Sequence, residues 1–505
     1  MSIGGSSPKK GAVVWALFII VGVAGILSMP REEYTGDPQA VRCETVSLIK
    51  FGTLEIPAPI ATGLDNGYEI YFFTNPSDHK HYSKYGILNS LLYVPVLLAE
   101  EWRDGHLTYF ASDRAIYLNW FNILLTVASA WYLYLIAARY TASQWVAVIY
   151  VLTALYCTFW WNYLRAQNSD MYQTMFLLGL YYHLTLSNES GTKNRDRIIA
   201  GAYLAALILV KVFFLILVPI ALFFEFAVEW RRLRNLVAAS RAAMWVAVPA
   251  GCAVGALLLV NTIKFGAPLD MGYRMLVSSG HDTVGLSEFT GDFFAGMHGF
   301  LLERRHSIFL YFPILAFALF GYRSFYREHR IDCLLFLTIG VLALLLCAKL
   351  GDWVGGWGYG PRYMLPYLPL LSLPFIKTVE LTSRNWRRWW AIVLAGGIAV
   401  ALCWSFKIQM EVNSVPFFAY YRLQSAFTAL RVAEVDSYFD HQTFGGLAAD
   451  LLAYRNGKPW RVLELAKPIL NEQGVEHFTE ITRENAASNY YFWPDASQAQ
   501  EARSP

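Results

Sequence analysis

Charge is scarce in this chain. Asp, Glu, Lys and Arg make up 16% of its 505 residues, where a soluble domain carries about 25%. The shortage excludes an ordinary water-soluble globule. The 41 basic and 38 acidic residues leave a net charge of only +3, so nothing points to nucleic acid as a partner. Cysteines are also few: Cys43, Cys157, Cys252, Cys333, Cys347 and Cys403. All but Cys43 fall in apolar runs and none have zinc-ligand spacing, which argues against a disulfide framework and a zinc site. Internal repeats and low-complexity segments are missing. So is a convincing cleavage site after the first apolar run, Gly11 to Met29. With Lys9 and Lys10 ahead of it, that run reads as an uncleaved signal anchor.

Hydrophobic residues, by contrast, make up 56% of the chain, and apolar runs long enough to cross a bilayer as helices recur almost to its end. The sequence predicts an all-α polytopic membrane protein. Expected spans are 11–29, 116–137, 143–162, 170–187, 243–262, 307–325, 331–349, 362–378 and 389–408. Two stretches are ambiguous. Residues 86–101 either lie on the membrane surface or cross it. Residues 198–230 form either two short helices, with Lys211 near their outer junction, or one. Placing the Arg and Lys clusters on the cytoplasmic side favours the surface helix and the split pair. Either choice totals about eleven transmembrane helices, N-terminus inside and C-terminus outside. Residues 1–408 then form the membrane domain, with 30–115 as its first outer loop, and 409–505 a small extracytoplasmic soluble domain. Helical patterns are expected there at 422–438 and 460–472, with turns at Gly445-Gly446 and Asn456-Gly457.

The first outer loop is too long for a mere connector. Asp37-Pro38 reads as a helix start, with Asp37 as N-cap. An amphipathic run from Ala40 to Ile49 follows, read as a surface helix ending near Gly52. On spacing alone, Asp37 is explained as a cap.

Together, "GDPQA", "VRCETVSLIKFGTLEIP" and "HYSKYGILNSLLYVPVLL", with "FLLERRHSIFLYFPILAFALFG" and "GDWVGGWGYGPRYMLPYLPLL" later, resemble the GT-C superfamily of membrane glycosyltransferases. The likeness is to the protein O-mannosyltransferase and aminoarabinose-transferase-like group. It implies a catalytic Asp37 early in the first outer loop, a Lys84 ahead of a second surface helix, and a sugar donor linked to a polyprenyl phosphate. The acceptor, a glycan, lipid or protein, would lie on the outer face of the inner membrane. Pro38 stands where many relatives carry a second acidic residue.

Such a reaction needs a base for the acceptor hydroxyl, cations for the leaving phosphate and an apolar groove for the lipid. Asp37 is the expected base, its pKa raised by partial burial. Glu33, Glu44 and Asp352 are alternatives, and Glu44, two helical turns on, is placed to orient the acceptor. Lys84 and Arg362 are the expected phosphate ligands, with His81 assisting. Arg304 and Arg305 are further phosphate or headgroup contacts, beside His306. Asp352, Trp357 and Tyr359 form a candidate sugar platform. Arg165 and Asp170 form a candidate outer ion pair lining the same cavity. No metal site is read. His79 and His81 lack a third ligand, though some GT-C branches use a divalent cation. The competing readings are a lipid-linked-glycan flippase, which predicts pseudo-symmetric halves, and an O-antigen ligase or polymerase, which predicts a large late loop.

Overall fold

The computed structural model describes residues 8–30, 36–65, 71–110, 116–166, 169–186, 194–270, 289–355, 358–416, 419–487 and 489. The N-terminal part runs α1 (Pro8–Leu27), α2 (Asp37–Phe51), β1 (Glu55–Ile56), α3 (Ala58–Asp65), β2 (Phe72–Thr74), β3 (His81–Ser83) and α4 (Ile87–Asp104). The strands form a small antiparallel sheet in the order β1-β3-β2. Next come α5 (Ile116–Tyr140), α6 (Gln144–Tyr156), α7 (Trp160–Arg165), α8 (Asp170–Leu186), α9 (Asn194–Val210), α10 (Leu217–Leu233) and α11 (Leu236–Phe265). The rest of the bundle is α12 (Phe293–Leu302), α13 (Ile308–Tyr311), α14 (Pro313–Ala318), α15 (Tyr322–Glu328), α16 (Arg330–Ala348), α17 (Leu368–Leu371), α18 (Phe375–Arg384) and α19 (Trp389–Ser414). Five shorter helices close the chain: α20 (Ala419–Thr428), α21 (Ala433–His441), α22 (Phe444–Arg455), α23 (Arg461–Ala466) and α24 (Glu472–Ala486).

Among the described residues, five helical segments are long and apolar enough to cross a membrane: Ile116–Tyr140, Val212–Leu233, Leu236–Phe265, Arg330–Ala348 and Trp389–Ser414. Their outward faces are apolar, with Leu124, Phe223, Leu259 and Val400 all largely exposed. In water that exposure would be costly; in lipid it is required. The chain is a multi-pass helical membrane protein, though these segments do not reach the expected eleven.

Several expected spans are interrupted, and the breaks have local causes. Run 307–325 becomes α13, α14 and α15. Phe312, at φ −134° and ψ 66°, cannot stay helical ahead of Pro313. Run 362–378 becomes a 3₁₀ turn (Arg362–Met364), α17 and α18. Pro366, Pro369 and Pro374 each remove a helix donor there. Run 143–162 breaks after Tyr156. The 198–230 stretch splits as expected: α9 stops at Val210, Lys211 is extended (φ −153°, ψ 120°), and a 3₁₀ turn leads into α10. Toward the C-terminus the expected helix 422–438 is two, parted at Arg431 with φ 55°. Gly445-Gly446 is no turn but the start of α22, where the Thr443 hydroxyl caps the Gly446 N–H at 3.2 Å. The Asn456-Gly457 turn is present, with Gly457 at φ 84°.

α2 is less of a surface helix than its spacing implies. Pro38 through Ser47 are all buried, and it packs against α4, where Arg42 and Glu100 form a buried ion pair. A second buried pair joins Glu44 to Lys264 of α11. Ser90 Oγ donates to Glu44 Oε2 at 2.6 Å. Lys264 Nζ also donates to the carbonyls of Ser83 (3.2 Å) and Tyr85 (3.0 Å). The backbone on either side of Lys84 is thereby clamped to α11. Glu44→Gln strands the Lys264 charge and is expected to lower stability by about 3–5 kcal/mol. Thermal unfolding in detergent checks this, and the double variant Glu44→Leu/Lys264→Met should recover most of the loss.

Candidate active site

α2 opens on Asp37. The N-cap is Gly36, at φ 89°, and Asp37 makes no capping hydrogen bond, so the cap role is not what its carboxylate performs. Tyr85 Oη donates to Asp37 Oδ1 at 2.6 Å. Arg362 Nη2 donates to Asp37 Oδ2 at 2.5 Å, and Arg362 Nε to Asp170 Oδ2 at 2.7 Å. One guanidinium thus bridges two aspartates that lie 133 residues apart in sequence, the geometry in which an arginine fork outperforms a lysine. Arg362 reaches them from a tight approach over Gly360. That residue has φ 67°, and a Cβ on it would stand 2.6 Å from the Tyr311 ring. Only glycine meets both conditions.

These groups line one cavity of roughly 710 Å³, part of it open to solvent, together with Lys84, Ser169, Lys211 and Lys264. Its other wall is apolar: Ile87, Ile208, Val212, Leu257, Val260 and Phe265. Lys264 is neutralised by Glu44. Lys84, Lys211 and Arg362 line the cavity with the two carboxylates of Asp37 and Asp170. The Lys211 ammonium lies 4.7 Å from the centroid of the Tyr363 ring, beside Arg362. The Asp37 side chain is 28% exposed and that of Asp170 only 5%, so a molecule entering the cavity reaches Asp37 first.

Burial pushes the Asp37 pKa up. Attraction to Arg362, hydrogen bonds from Tyr85 and Arg362, and the charge of Lys211 outweigh it, and the carboxyl ends below the ordinary aspartate range. The expected upward shift is therefore reversed in sign. The cause is Arg362, 325 residues away in sequence, whose ion pair spacing alone does not reveal.

The structure brings Asp37, Lys84, Asp170 and Arg362 together and adds Lys211 and Tyr85. Other expected ligands have different partners. Glu44 is occupied by Lys264 and Ser90, away from the cavity. His81, in β3, pairs its Nδ1 with Thr74 Oγ1 at 3.1 Å. Arg165 does not pair with Asp170. It donates to the Ser28 carbonyl, to Asn413 O (2.6 Å) and Oδ1 (2.8 Å), and to Asn489 O (3.1 Å). It binds α7 to α1 and α19. Arg305 grips the carbonyls of Phe439, Asp440 (2.5 Å) and Gln442 (3.1 Å), fastening the C-terminal helices. Arg304 and Asp352 are exposed and outside this cavity. Tyr359 is 1% exposed, packed against Tyr311 and Phe444, and offers no face to a sugar. Trp357 and Glu33 lie outside the described residues. Among those described, no group of three or more His, Cys, Asp or Glu is placed to hold a metal ion.

Comparison with known proteins bears on this arrangement. Residues 102–259 match the family described as dolichyl-phosphate-mannose-protein mannosyltransferase. The crystal structure of the Archaeoglobus fulgidus oligosaccharyltransferase in its apo form superposes with a TM-score of 0.52 at 11% identity, over 86% of this chain and 60% of that one. ArnT from Cupriavidus metallidurans, bound to undecaprenyl phosphate, superposes with a TM-score of 0.51 at 12% identity, over 95% of this chain and 77% of that one. The chain shares the fold of these two proteins. No curated protein sequence matches it, and it spans 60% of the oligosaccharyltransferase's length. The family match takes in α5 to α10 and most of α11, and with them Asp170 and Lys211. Asp37, Lys84 and Arg362 fall outside the matched stretch.

Proposed function

We propose that the chain transfers a hexosyl or pentosyl group from a polyprenyl-phosphate-linked donor to a hydroxyl of a glycan, lipid or protein. The site would open on the outer face of the cell's inner membrane. Asp37 is the general base. The observation that carries this reading is the single cavity in which Asp37 meets Lys84, Lys211 and Arg362 beside an apolar wall.

The chemistry follows from that geometry. Lys84 and Lys211 attract the donor phosphate, and Arg362 offers it a bidentate fork. The prenyl chain lies along Ile87, Ile208, Val212, Leu257 and Val260. The acceptor oxygen bonds to the anomeric carbon and its proton passes to Asp37. The bond from that carbon to the phosphate oxygen breaks, and the three cations stabilise the charge gathering on the departing lipid phosphate. With Arg362 paired to it, Asp37 is held ionised but weakly basic. A phosphate that draws the guanidinium toward itself relieves this and makes Asp37 a stronger base when the donor is in place.

Binding of undecaprenyl phosphate to the purified protein tests the reading without knowledge of the sugar. Lys84→Met and Lys211→Met are each expected to weaken it about tenfold, the loss of one charge-assisted contact. A parent protein that does not bind the lipid phosphate, or variants that bind it equally well, would refute the assignment.

A further inference from the structure

Lys211 reaches the cavity because the helix carrying it stops one residue earlier. We infer that Asn89, seated by Gly86, is the positioning residue that sets this break and with it the place of the Lys211 ammonium. The inference rests on the donor-phosphate reading above, but part of its test does not.

The break leaves a backbone group to be satisfied. Lys211 N–H still bonds to Leu207 O at 3.0 Å, but Phe214 N–H turns to Lys211 O at 3.1 Å. In a continuous helix that donor would serve Val210 O. Asn89 replaces it: its Nδ2 donates to Val210 O at 3.1 Å and to Gly86 O at 2.7 Å. The amide is itself oriented by Tyr172, whose hydroxyl donates to Asn89 Oδ1 at 2.6 Å. Asn89 is fully buried, where an unmet carbonyl costs most.

Gly86 makes this reach possible. Its φ of −62° and ψ of 145° suit any residue, so conformation is not the reason for glycine. Space is: a Cβ there would stand 2.2 Å from Leu209 O and 2.5 Å from Val210 O. The start of α4 therefore lies directly on the broken end of α9. The same short segment supplies Lys84 and Tyr85 to the cavity, and Tyr172 belongs to the helix that begins with Asp170. One side chain thus ties together the three elements that bear Lys84, Asp170 and Lys211.

A thermodynamic cycle on the full-length protein in detergent separates positioning from general support. Asn89→Leu keeps the volume and removes both polar ends. It is expected to weaken undecaprenyl phosphate binding about tenfold, as Lys211→Met does. The double variant should bind no more weakly than Lys211→Met alone, because a misplaced ammonium and a missing one are the same loss. Multiplicative losses, or unchanged binding in Asn89→Leu, would overturn the inference. If Asn89→Leu does not fold, Tyr172→Phe, which removes only the orienting hydroxyl, carries the same cycle with a loss of about threefold.

A second readout needs no lipid. Acylation of Lys211 by an amine-directed reagent, followed by peptide mass spectrometry, should speed up about fivefold in Asn89→Leu as the break loosens. Lys407, an exposed residue on α19, should label unchanged. Equal labelling of Lys211 in parent and variant would overturn the inference. A parent that binds no lipid phosphate removes the donor reading, while the labelling result still decides the role of Asn89.

Discussion

Asp37→Asn is expected to lose sugar transfer by about 10³-fold while keeping its affinity for the lipid phosphate within a few-fold. The size follows from removing a positioned base, typically worth 10²–10⁴ in rate. The split between rate and affinity follows from position. Asp37 touches the phosphate-binding cations only through Arg362, and Asp170 still holds that guanidinium at 2.7 Å. The measurement is transfer from a panel of polyprenyl-phosphate sugars, with lipid-phosphate binding in parallel. A variant that loses binding together with rate would make Asp37 a structural anchor of Arg362 and leave the base unassigned.

Arg362 is expected to show the second large effect, and in a different observable. Replacing it with Gln removes the strongest influence that depresses the Asp37 carboxyl. Burial then dominates, and the carboxyl moves above the ordinary aspartate range. The sign can be worked through. The base is active when ionised, so the rate falls as pH drops through the pKa. In the parent, kcat/KM should therefore stay flat through mildly acid pH, its acid limb lying below the ordinary aspartate range. In Arg362→Gln that limb should move to higher pH, and kcat/KM at neutral pH should fall about 10²-fold from loss of the phosphate fork. An unmoved limb would mean that Asp37 is not the titrating group. The same linkage acts on stability. The Asp37–Arg362 pair contributes fully above the unfolded aspartate pKa, and its contribution is lost as pH falls through the depressed folded value.

Part of this arrangement was legible in the sequence. Arg362 follows a glycine-rich turn at the head of an apolar run, whereas Lys84 was singled out only by the likeness to the membrane glycosyltransferases. Lys211 was visible as a lone charge in a long apolar stretch, but its partners were not. Lys211 follows a helix break whose Val210 carbonyl is met by Asn89, 122 residues upstream of Lys211, and no local pattern reports that. The errors share one origin. Glu44, Arg165, Arg305 and Tyr359 carry chemistry suited to a sugar or phosphate site. The fold spends them on buried pairs, carbonyl clamps and ring packing with segments distant in sequence. A side chain's capacity to bind is read locally; whether another part of the chain has already claimed it is settled only by tertiary contact. The interrupted runs 307–325 and 362–378 differ in kind, because Pro313, Pro366, Pro369 and Pro374 marked those breaks in advance.

The most direct measurement is a structure of the protein with undecaprenyl phosphate bound, by cryo-electron microscopy in a lipid nanodisc. The phosphate is expected within hydrogen-bonding distance of Lys84, Lys211 and Arg362, with the prenyl chain against Ile208 and Leu257 and the Asp37–Arg362 contact lengthened. A lipid phosphate seated elsewhere, with Arg362 still closed on both aspartates, would contradict the account.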